Sequence, residues 1–446
     1  APRLARGRPE AQLRPGATNP ARVPARTPPL ASRALAHLSL LVATLVLAGD
    51  PRSLAGFFYH PRMIAVVHLV TLGWITGTIL GMLYVVLPLA LRSPLPARRA
   101  DHWAFWAFAV GEVGMVSHFW LASPAGMVWS AGLVVAALGW VGWRVLGALR
   151  RAPIPLEHRL PFLLAFANLI LAGALGMLIG VDRSTDVVPG FVLAHVAAHA
   201  HLAALGWAML MILGAGYRLL PMVLPAAMPT GGSVLATVVV TEAGVLALAA
   251  ALFTGSALTP LAALVLVAGV GLFFGHLTWM RRRPKPPPRD LPRPDLGRAH
   301  IGLSFLYLLL AIGLGAAVLL WPRSPHRVAL LTAYGATLLV GFLSQMIVGF
   351  SVRLLPLFTW MRDFAAGGFD RVPVSPHRRI ARSLHRLGFW CWTAGTPLLI
   401  TGLATGRGPL VRPAGALLAL ATVSSLLQIG WQLRQRPPDE GPGDTA

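Results

Sequence analysis

Long apolar runs alternate with short polar connectors along most of the chain. Twelve of these runs are long enough to cross the roughly 30 Å of a bilayer's hydrocarbon as α-helices. The predicted spans are 31–50, 62–91, 102–122, 125–148, 160–181, 189–219, 233–254, 258–280, 300–321, 328–358, 384–404 and 410–433. The pattern therefore predicts an all-α, polytopic membrane protein with twelve transmembrane helices.

One motif recurs in the second, sixth and tenth spans, which are the longest. Two copies keep a histidine: His68-Leu-Val-Thr-Leu-Gly-Trp74 and His201-Leu-Ala-Ala-Leu-Gly-Trp207. A third copy, over residues 335–356, has Gly-Phe in place of Gly-Trp and Ala336 at the histidine position. A repeat of this kind predicts three pseudo-symmetric four-helix units with the motif on the second helix of each. The units are 31–150, 151–280 and 300–433.

Composition supports a membrane location and argues against nucleic acid as a partner. The 446 residues are 56% hydrophobic and only 12% charged, too few polar groups to cover a soluble protein of this size. The net charge of +23 is concentrated in the tails and in alternate connectors. Because basic connectors stay on the cytoplasmic side, both termini are expected to be cytoplasmic in an inner (plasma) membrane.

Three segments outside the spans are predicted to be tails or linkers. Residues 1–30 are rich in Arg and Pro and lack an apolar core, which indicates a disordered cytoplasmic tail and no cleavable signal peptide. Residues 281–299 form a basic, Pro-rich linker between the second and third units, and 434–446 form a second cytoplasmic tail. The single cysteine, Cys391, excludes a disulfide framework and a cysteine-based metal site.

Two histidines of the repeated motif are the first candidates for chemistry. In the predicted topology, His68 and His201 lie about two helical turns below the outer face. An imidazole at this depth needs a partner, which is either a hydroxyl or carbonyl group or a metal. Neutral imidazole is an axial ligand of heme iron and also suits copper. The following Gly73 and Gly206 would allow a porphyrin or a neighbouring helix to approach closely.

Further histidines near the same level suggest a second metal site. His195 and His199 share a helix face, whereas His201 is turned about 160° away from His199. His118, or His60 in the connector above, could supply a third ligand, and the metal expected at such a site is copper. The alternative is that these are ordinary histidines at the membrane interface.

Two carboxylates are placed in mid-span at related positions of the first two units. Glu112 and Glu242 both lie on the third helix of their unit. A buried carboxyl group is expected to be protonated or paired, so each could take part in a proton relay. The alternative is a neutral acid that is hydrogen-bonded between helices.

Together these features resemble subunit I of the heme-copper oxidase superfamily. The motifs around His68 and His201 resemble most the divergent relatives of C-type (cbb) oxidases and nitric oxide reductase large subunits, and also NnrS-type proteins. The resemblance implies that His68 binds a low-spin heme and that His201 is a copper ligand. The chain departs from the family in two spans, because 233–254 lacks a histidine pair and 328–358 lacks the axial ligands.

The resemblance suggests a degenerate subunit I that binds heme b and takes part in respiratory electron transfer beside other membrane or periplasmic, cytochrome c-like redox subunits. Two alternatives remain open. One is an NnrS-like heme and copper protein that handles nitric oxide. The other is a metal-free membrane scaffold subunit whose histidines are relics.

Overall fold

The computed structural model describes residues 23–287, 291–369 and 375–435, and it is helical throughout. Twelve long helices occupy these ranges. They are α1 Thr27–Gly49, α2 Pro61–Ala90, α3 Arg99–Trp120, α4 Pro124–Arg150, α5 Leu156–Thr185, α6 Val192–Val223, α7 Gly232–Phe253, α8 Thr259–Arg281, α9 Leu296–Leu320, α10 Arg327–Ala366, α11 Arg382–Ala404 and α12 Gly408–Arg434. The predicted tails fall largely outside the described residues, since 1–22 and 436–446 are not described.

Eleven of the helices in the described ranges are long and apolar enough to cross a membrane. The prediction of an all-helical, multi-pass membrane protein is therefore confirmed, with eleven candidate spans where twelve were expected. The remaining long helix, α3, carries the polar residues Asp101, His102 and Glu112.

Shorter elements complete the described chain. A single helical turn, Pro51–Leu54, follows α1, and a 3-10 turn, Pro376–Arg379, precedes α11. The predicted linker 281–299 is shorter than expected, because α9 begins within it at Leu296. Asp295 starts that helix as its N-cap, where its side chain accepts a hydrogen bond from the amide of Arg298 at 3.1 Å.

The three helices that carry the repeated motif form the centre of the bundle. Within their most apolar windows, α2, α6 and α10 are 67%, 67% and 78% buried, against at most 56% for the other spans. α1 packs against α2 and α12, α5 against α6, and α9 against α10. Helices α3 and α4, α7 and α8, and α11 and α12 pack as pairs. The motif is therefore buried by the surrounding helices.

Each central helix changes to π-helical geometry at the repeated motif. The wide turns cover Leu69–Thr76, Leu202–Met209 and Thr337–Ser344, eight residues in each case. They begin directly after His68, His201 and Ala336, and they contact one another pairwise. π-Helical turns are rare and often occur at functional sites. This level of the bundle is therefore the candidate position of a functional site.

The two ends of the bundle differ in chemistry. The end where α2, α6 and α10 begin is called the histidine end, and the end where they finish is called the arginine end. At the arginine end, buried Arg144 pairs with Asp101 at 3.3 Å, and Trp140 Nε1 donates to the same carboxylate at 2.9 Å. Arg353 also pairs there with Asp295, and Arg379 pairs with Asp363.

Candidate functional site

Four aromatic side chains from the three central helices lie at one level of the histidine end, at or just before the π-helical turns. Tyr334 contacts His201, and His199 lies within electrostatic range of His68. This imidazole cluster consists of His68 from α2, His199 and His201 from α6, and Tyr334 from α10. All four are partly exposed, although they belong to the most buried helices. The cluster therefore lies at the mouth of the central three-helix core.

His201 uses both of its ring nitrogens. Nδ1 lies 2.7 Å from the carbonyl oxygen of Ala197, one turn earlier in α6. Nε2 lies 3.0 Å from the hydroxyl of Tyr334, whose ring stacks on the imidazole at a centroid distance of 5.8 Å. A carbonyl oxygen can only accept, so Nδ1 carries the proton and the Tyr334 hydroxyl donates to Nε2.

His68 and His199 each use only one ring nitrogen. Nδ1 of His68 donates to the carbonyl of Ile64 at 2.8 Å, and Nδ1 of His199 donates to the carbonyl of Ala172 in α5 at 2.8 Å. Within the described part of the chain, Nε2 of neither ring makes a hydrogen bond. His199 lies within electrostatic range of His68.

The shared tautomer is the chemically useful feature of the cluster. In His68, His199 and His201 the proton is on Nδ1, held by a backbone carbonyl, and the lone pair is on Nε2. Metal-ligating histidines are commonly oriented by such a hydrogen bond, which also makes the free nitrogen more basic. The cluster therefore presents two unoccupied imidazole lone pairs and a third that is occupied by a tyrosine hydroxyl.

The other predicted metal ligands are not brought to the cluster. His195 is buried against Phe253, with a ring centroid distance of 4.5 Å, and its Nε2 points toward Gly190. His118 packs on Gly126 in the first turn of α4, and His60 caps the start of α2. In the ranges that the structure describes, no group of three or more His, Cys, Asp or Glu side chains could hold a metal ion. The expected grouping of His195, His199 and His118 around one ion is absent from this arrangement.

Glu112 is a residue of α3 that packs against the π-helical turn of α2. Its Oε1 accepts a hydrogen bond of 2.6 Å from the Ser39 hydroxyl of α1, while its Oε2 is buried without a partner. A Cβ atom at Gly73 would collide with both Glu112 Oε1 and Ser39. The glycine of the repeated motif is therefore required because α1 and α3 place polar groups directly on it.

Glu242, on α7, bonds to the residue that covers the motif glycine of α6. Both of its carboxylate oxygens accept from the Asn168 amide of α5, at 3.1 and 2.8 Å. A Cβ atom at Gly206 would lie 2.7 Å from Cγ of Asn168. The third motif glycine, Gly341, is covered in the same way by the Tyr307 ring of α9, at 2.6 Å from such a Cβ.

Ser39, Asn168, Tyr307 and Tyr334 were not predicted as site residues. Each of the first three lies on the first helix of its predicted unit and covers the motif glycine. A signal for Tyr334 was present in the sequence, because it precedes Ala336 by the same two residues that separate His199 from His201. Aligning the repeats position by position would have found it.

The three histidines differ in how well their Nε2 atoms fit the role of a ligand to heme iron. His68 and His199 fit an axial-ligand role, because each has an oriented ring and an unoccupied Nε2. His201 fits only if Tyr334 moves, since the hydroxyl already occupies Nε2. Phe119 stacks on His68 at 4.6 Å and would form an apolar wall beside a ligand. The donor set at His68 is thus compatible with heme iron.

Comparison with known proteins does not assign the chain to a family, because no protein-family model and no curated protein matches the sequence.

Proposed function

We propose that the chain is an integral membrane heme-binding protein, similar to a degenerate subunit I of the heme-copper oxidases, that takes part in respiratory electron transfer. One observation carries this proposal. His68, at the mouth of the central core, has a ring anchored by a carbonyl and an Nε2 atom without a hydrogen bond, and His199 of the next central helix lies within electrostatic range of it.

In this proposal each residue of the cluster has a distinct role. His68 Nε2 would bind the heme iron, and the Ile64 carbonyl fixes the tautomer and orientation of its ring. His199 is a second imidazole whose Nε2 makes no hydrogen bond in the described chain, and the Ala172 carbonyl holds it on the side of α5. The bound heme would supply one-electron redox chemistry, while the protein sets its potential through ligand basicity and burial.

The proposal includes the finer architecture that the sequence predicts. We infer that α3 is the twelfth span and that the chain consists of three four-helix units. Three matched π-helical turns and three covered glycines, Gly73, Gly206 and Gly341, support this inference. With basic connectors in the cytoplasm, the histidine end faces outward in an inner (plasma) membrane, where a periplasmic cytochrome c-like partner could exchange electrons.

We interpret Glu112 and Glu242 as interhelical hydrogen-bond acceptors rather than as a proton relay. Ser39 and Asn168 are their hydrogen-bond donors. Glu112 and Ser39 both cover Gly73, whereas Gly206 is covered by Asn168, which bonds to Glu242. Each carboxylate thus connects the first and third helices of its unit. This arrangement holds the π-helical turns in place and so positions the histidines that precede them.

A second candidate function is the handling of nitric oxide by a heme and copper site. It is favoured by three imidazoles at the histidine end, His68, His199 and His201, that each carry the lone pair on Nε2. Imidazole nitrogen is a ligand that suits copper. In that case Tyr334 would have to release His201 before a metal bound there.

Metal analysis of the purified, full-length chain separates these proposals. The electron-transfer proposal predicts iron without copper and loss of iron in His68→Ala. The nitric oxide proposal predicts copper as well, with loss of copper in His199→Ala. Neither metal should change in His326→Ala, a matched control for an exposed histidine at the same end of the bundle. Absence of both metals from chain produced with ample heme and copper would contradict both proposals.

A further inference from the structure

A cavity of about 70 Å³ lies away from the imidazole cluster, in the half of the bundle that leads to the arginine end. It opens between α1, α2 and α9 to α12. One water needs roughly 10 to 15 Å³ of such volume. The cavity therefore has room for a ligand of a few heavy atoms.

Buried hydrogen-bonding atoms without partners line this cavity. They belong to five side chains that are each at least nine-tenths buried. The atoms are Arg33 Nε, Trp74 Nε1, His300 Nδ1, Trp392 Nε1 and Gln432 Oε1. Buried polar groups are normally hydrogen-bonded, so a group of five on one cavity indicates an occupant.

The charge in the cavity is positive and unbalanced. Arg33 is 4% exposed, and its guanidinium makes one hydrogen bond within the described ranges, from Nη1 to the sulfur of Met82 at 3.7 Å, a weak acceptor. No Asp or Glu lines the cavity, and Arg33 makes no ion pair within the described ranges. Burying a guanidinium without a counter-charge is costly, which favours an anionic occupant.

His37 and Ser425 stabilise the wall of the cavity without competing for that occupant. Nδ1 of His37 donates to the Arg33 carbonyl at 2.8 Å, and Ser425 donates to Nε2 of His37 at 3.0 Å. The carbonyl and the hydroxyl are thereby used within the protein. The free groups that remain are mainly N–H donors, as an oxyanion requires.

We propose that this cavity binds a small monovalent oxyanion of three or four heavy atoms, such as a carboxylate or nitrate. The Arg33 guanidinium provides the charge, and the indole N–H groups of Trp74 and Trp392 donate to its oxygens. Apolar side chains such as Leu40 and Phe389 complete the lining and exclude larger hydrated ions. The site is separate from the imidazole cluster, so it does not depend on heme binding.

Calorimetric titration of the full-length chain in detergent, in a HEPES buffer, tests this proposal with sodium formate, sodium nitrate and sodium chloride as separate probes. Formate and nitrate are expected to bind saturably with one site per chain, and chloride at least about tenfold more weakly, because it offers a single acceptor atom. Absence of saturable binding would show that water alone fills the cavity and would overturn the proposal. Chloride binding as tight as that of formate would overturn the oxyanion assignment.

Variants connect the binding to these residues. Arg33→Gln is expected to weaken formate binding at least about tenfold, because it removes the buried charge. Trp392→Phe keeps the ring and removes one donor, so weaker binding is expected there too, even if Arg33→Gln fails to fold. Arg281→Gln, on an exposed arginine, should bind like the unmodified chain. Unchanged formate binding in Trp392→Phe and in a folded Arg33→Gln variant would contradict the proposal.

Discussion

The hydroxyl of Tyr334 in α10 donates a 3.0 Å hydrogen bond to Nε2 of His201 in α6. The central helix that lacks the motif histidine, with Ala336 at that position, thus contributes a phenol to the histidine of its neighbour. Because Tyr334 holds the lone pair of His201, His68 and His199 remain the histidines of the cluster with free Nε2 atoms. This contact decides which imidazole is available to a ligand.

Removing the hydroxyl in Tyr334→Phe should free His201. The unfolding free energy is expected to fall by about 1 kcal/mol, the usual net value of one hydrogen bond. Nε2 of His201 should also become more reactive toward diethyl pyrocarbonate, measured by mass spectrometry of the labelled peptides. Tyr307→Phe is the control, because Tyr307 covers Gly341 with its ring and its hydroxyl makes no hydrogen bond in the described structure. Equal labelling of His201 in both variants would argue against the contact.

A side chain at the motif glycine should be poorly tolerated. In Gly73→Ala the new methyl group would overlap Glu112 Oε1 and Ser39. Overpacking of this kind usually costs about 1 to 3 kcal/mol of unfolding free energy. Gly139→Ala in α4 is the control, since no atom lies within 4 Å of its added Cβ, and better helix propensity should make it neutral or slightly stabilising. Unfolding in mixed detergent micelles measures both, and equal stability of the two variants would contradict the packing described.

Asn168 and Glu242 should be energetically coupled. Asn168→Leu is expected to destabilise the protein by about 1 to 3 kcal/mol, because it leaves the half-buried carboxyl group of Glu242 without its donor. The same change should cost less when Glu242 is already Leu, and a double-mutant cycle should give a coupling of about 0.5 to 3 kcal/mol. The pair Asn168 and Ser184 provides a control, because within the described residues the Ser184 hydroxyl bonds to the Val181 carbonyl and not to Asn168. Additive effects for Asn168 and Glu242 would mean that their hydrogen bond contributes nothing.

The buried ion pair at the arginine end should matter more than the exposed pair at the histidine end. Arg144→Met would leave Asp101 buried without its cation, and such losses cost about 3 to 5 kcal/mol. Arg62→Met breaks the pair with Asp50. Both side chains of this pair are 43% exposed, so the unfolding free energy should fall by about 1 kcal/mol or less. Comparable unfolding free energies for the two variants would contradict this assignment of burial.

The spans could be predicted from sequence because a bilayer demands long apolar runs. The predicted span 62–91 corresponds to Pro61–Ala90, and 189–219 corresponds to Val192–Val223. The predicted tenth span, 328–358, ends before the helix does, because α10 continues to Ala366. Its last turns are polar and are held by tertiary contacts, such as the pair of Asp363 with Arg379, which hydropathy does not register.

The repeated motif identified the level of the site, whereas its contacts depended on which helices are neighbours. Spacing alone related His68 to His201 and Glu112 to Glu242. The π-helical turns, the Ser39 and Asn168 donors and the Tyr334 hydroxyl depend on packing between helices that are distant in sequence. The predicted grouping of His195 with His199 and His118 relied on helical phase. In the structure His195 packs against Phe253 and His118 packs against Gly126, so these two rings do not meet His199.

The central claim is that His68 binds heme, and the dithionite-reduced minus air-oxidised absorption spectrum of the purified chain tests it most directly, with heme counted as pyridine hemochrome. The proposal predicts a b-type spectrum with at least one heme per chain, lost in His68→Ala and retained in His326→Ala. A correctly folded chain, produced with ample heme, that shows no Soret band would contradict it, as would an unchanged spectrum in His68→Ala.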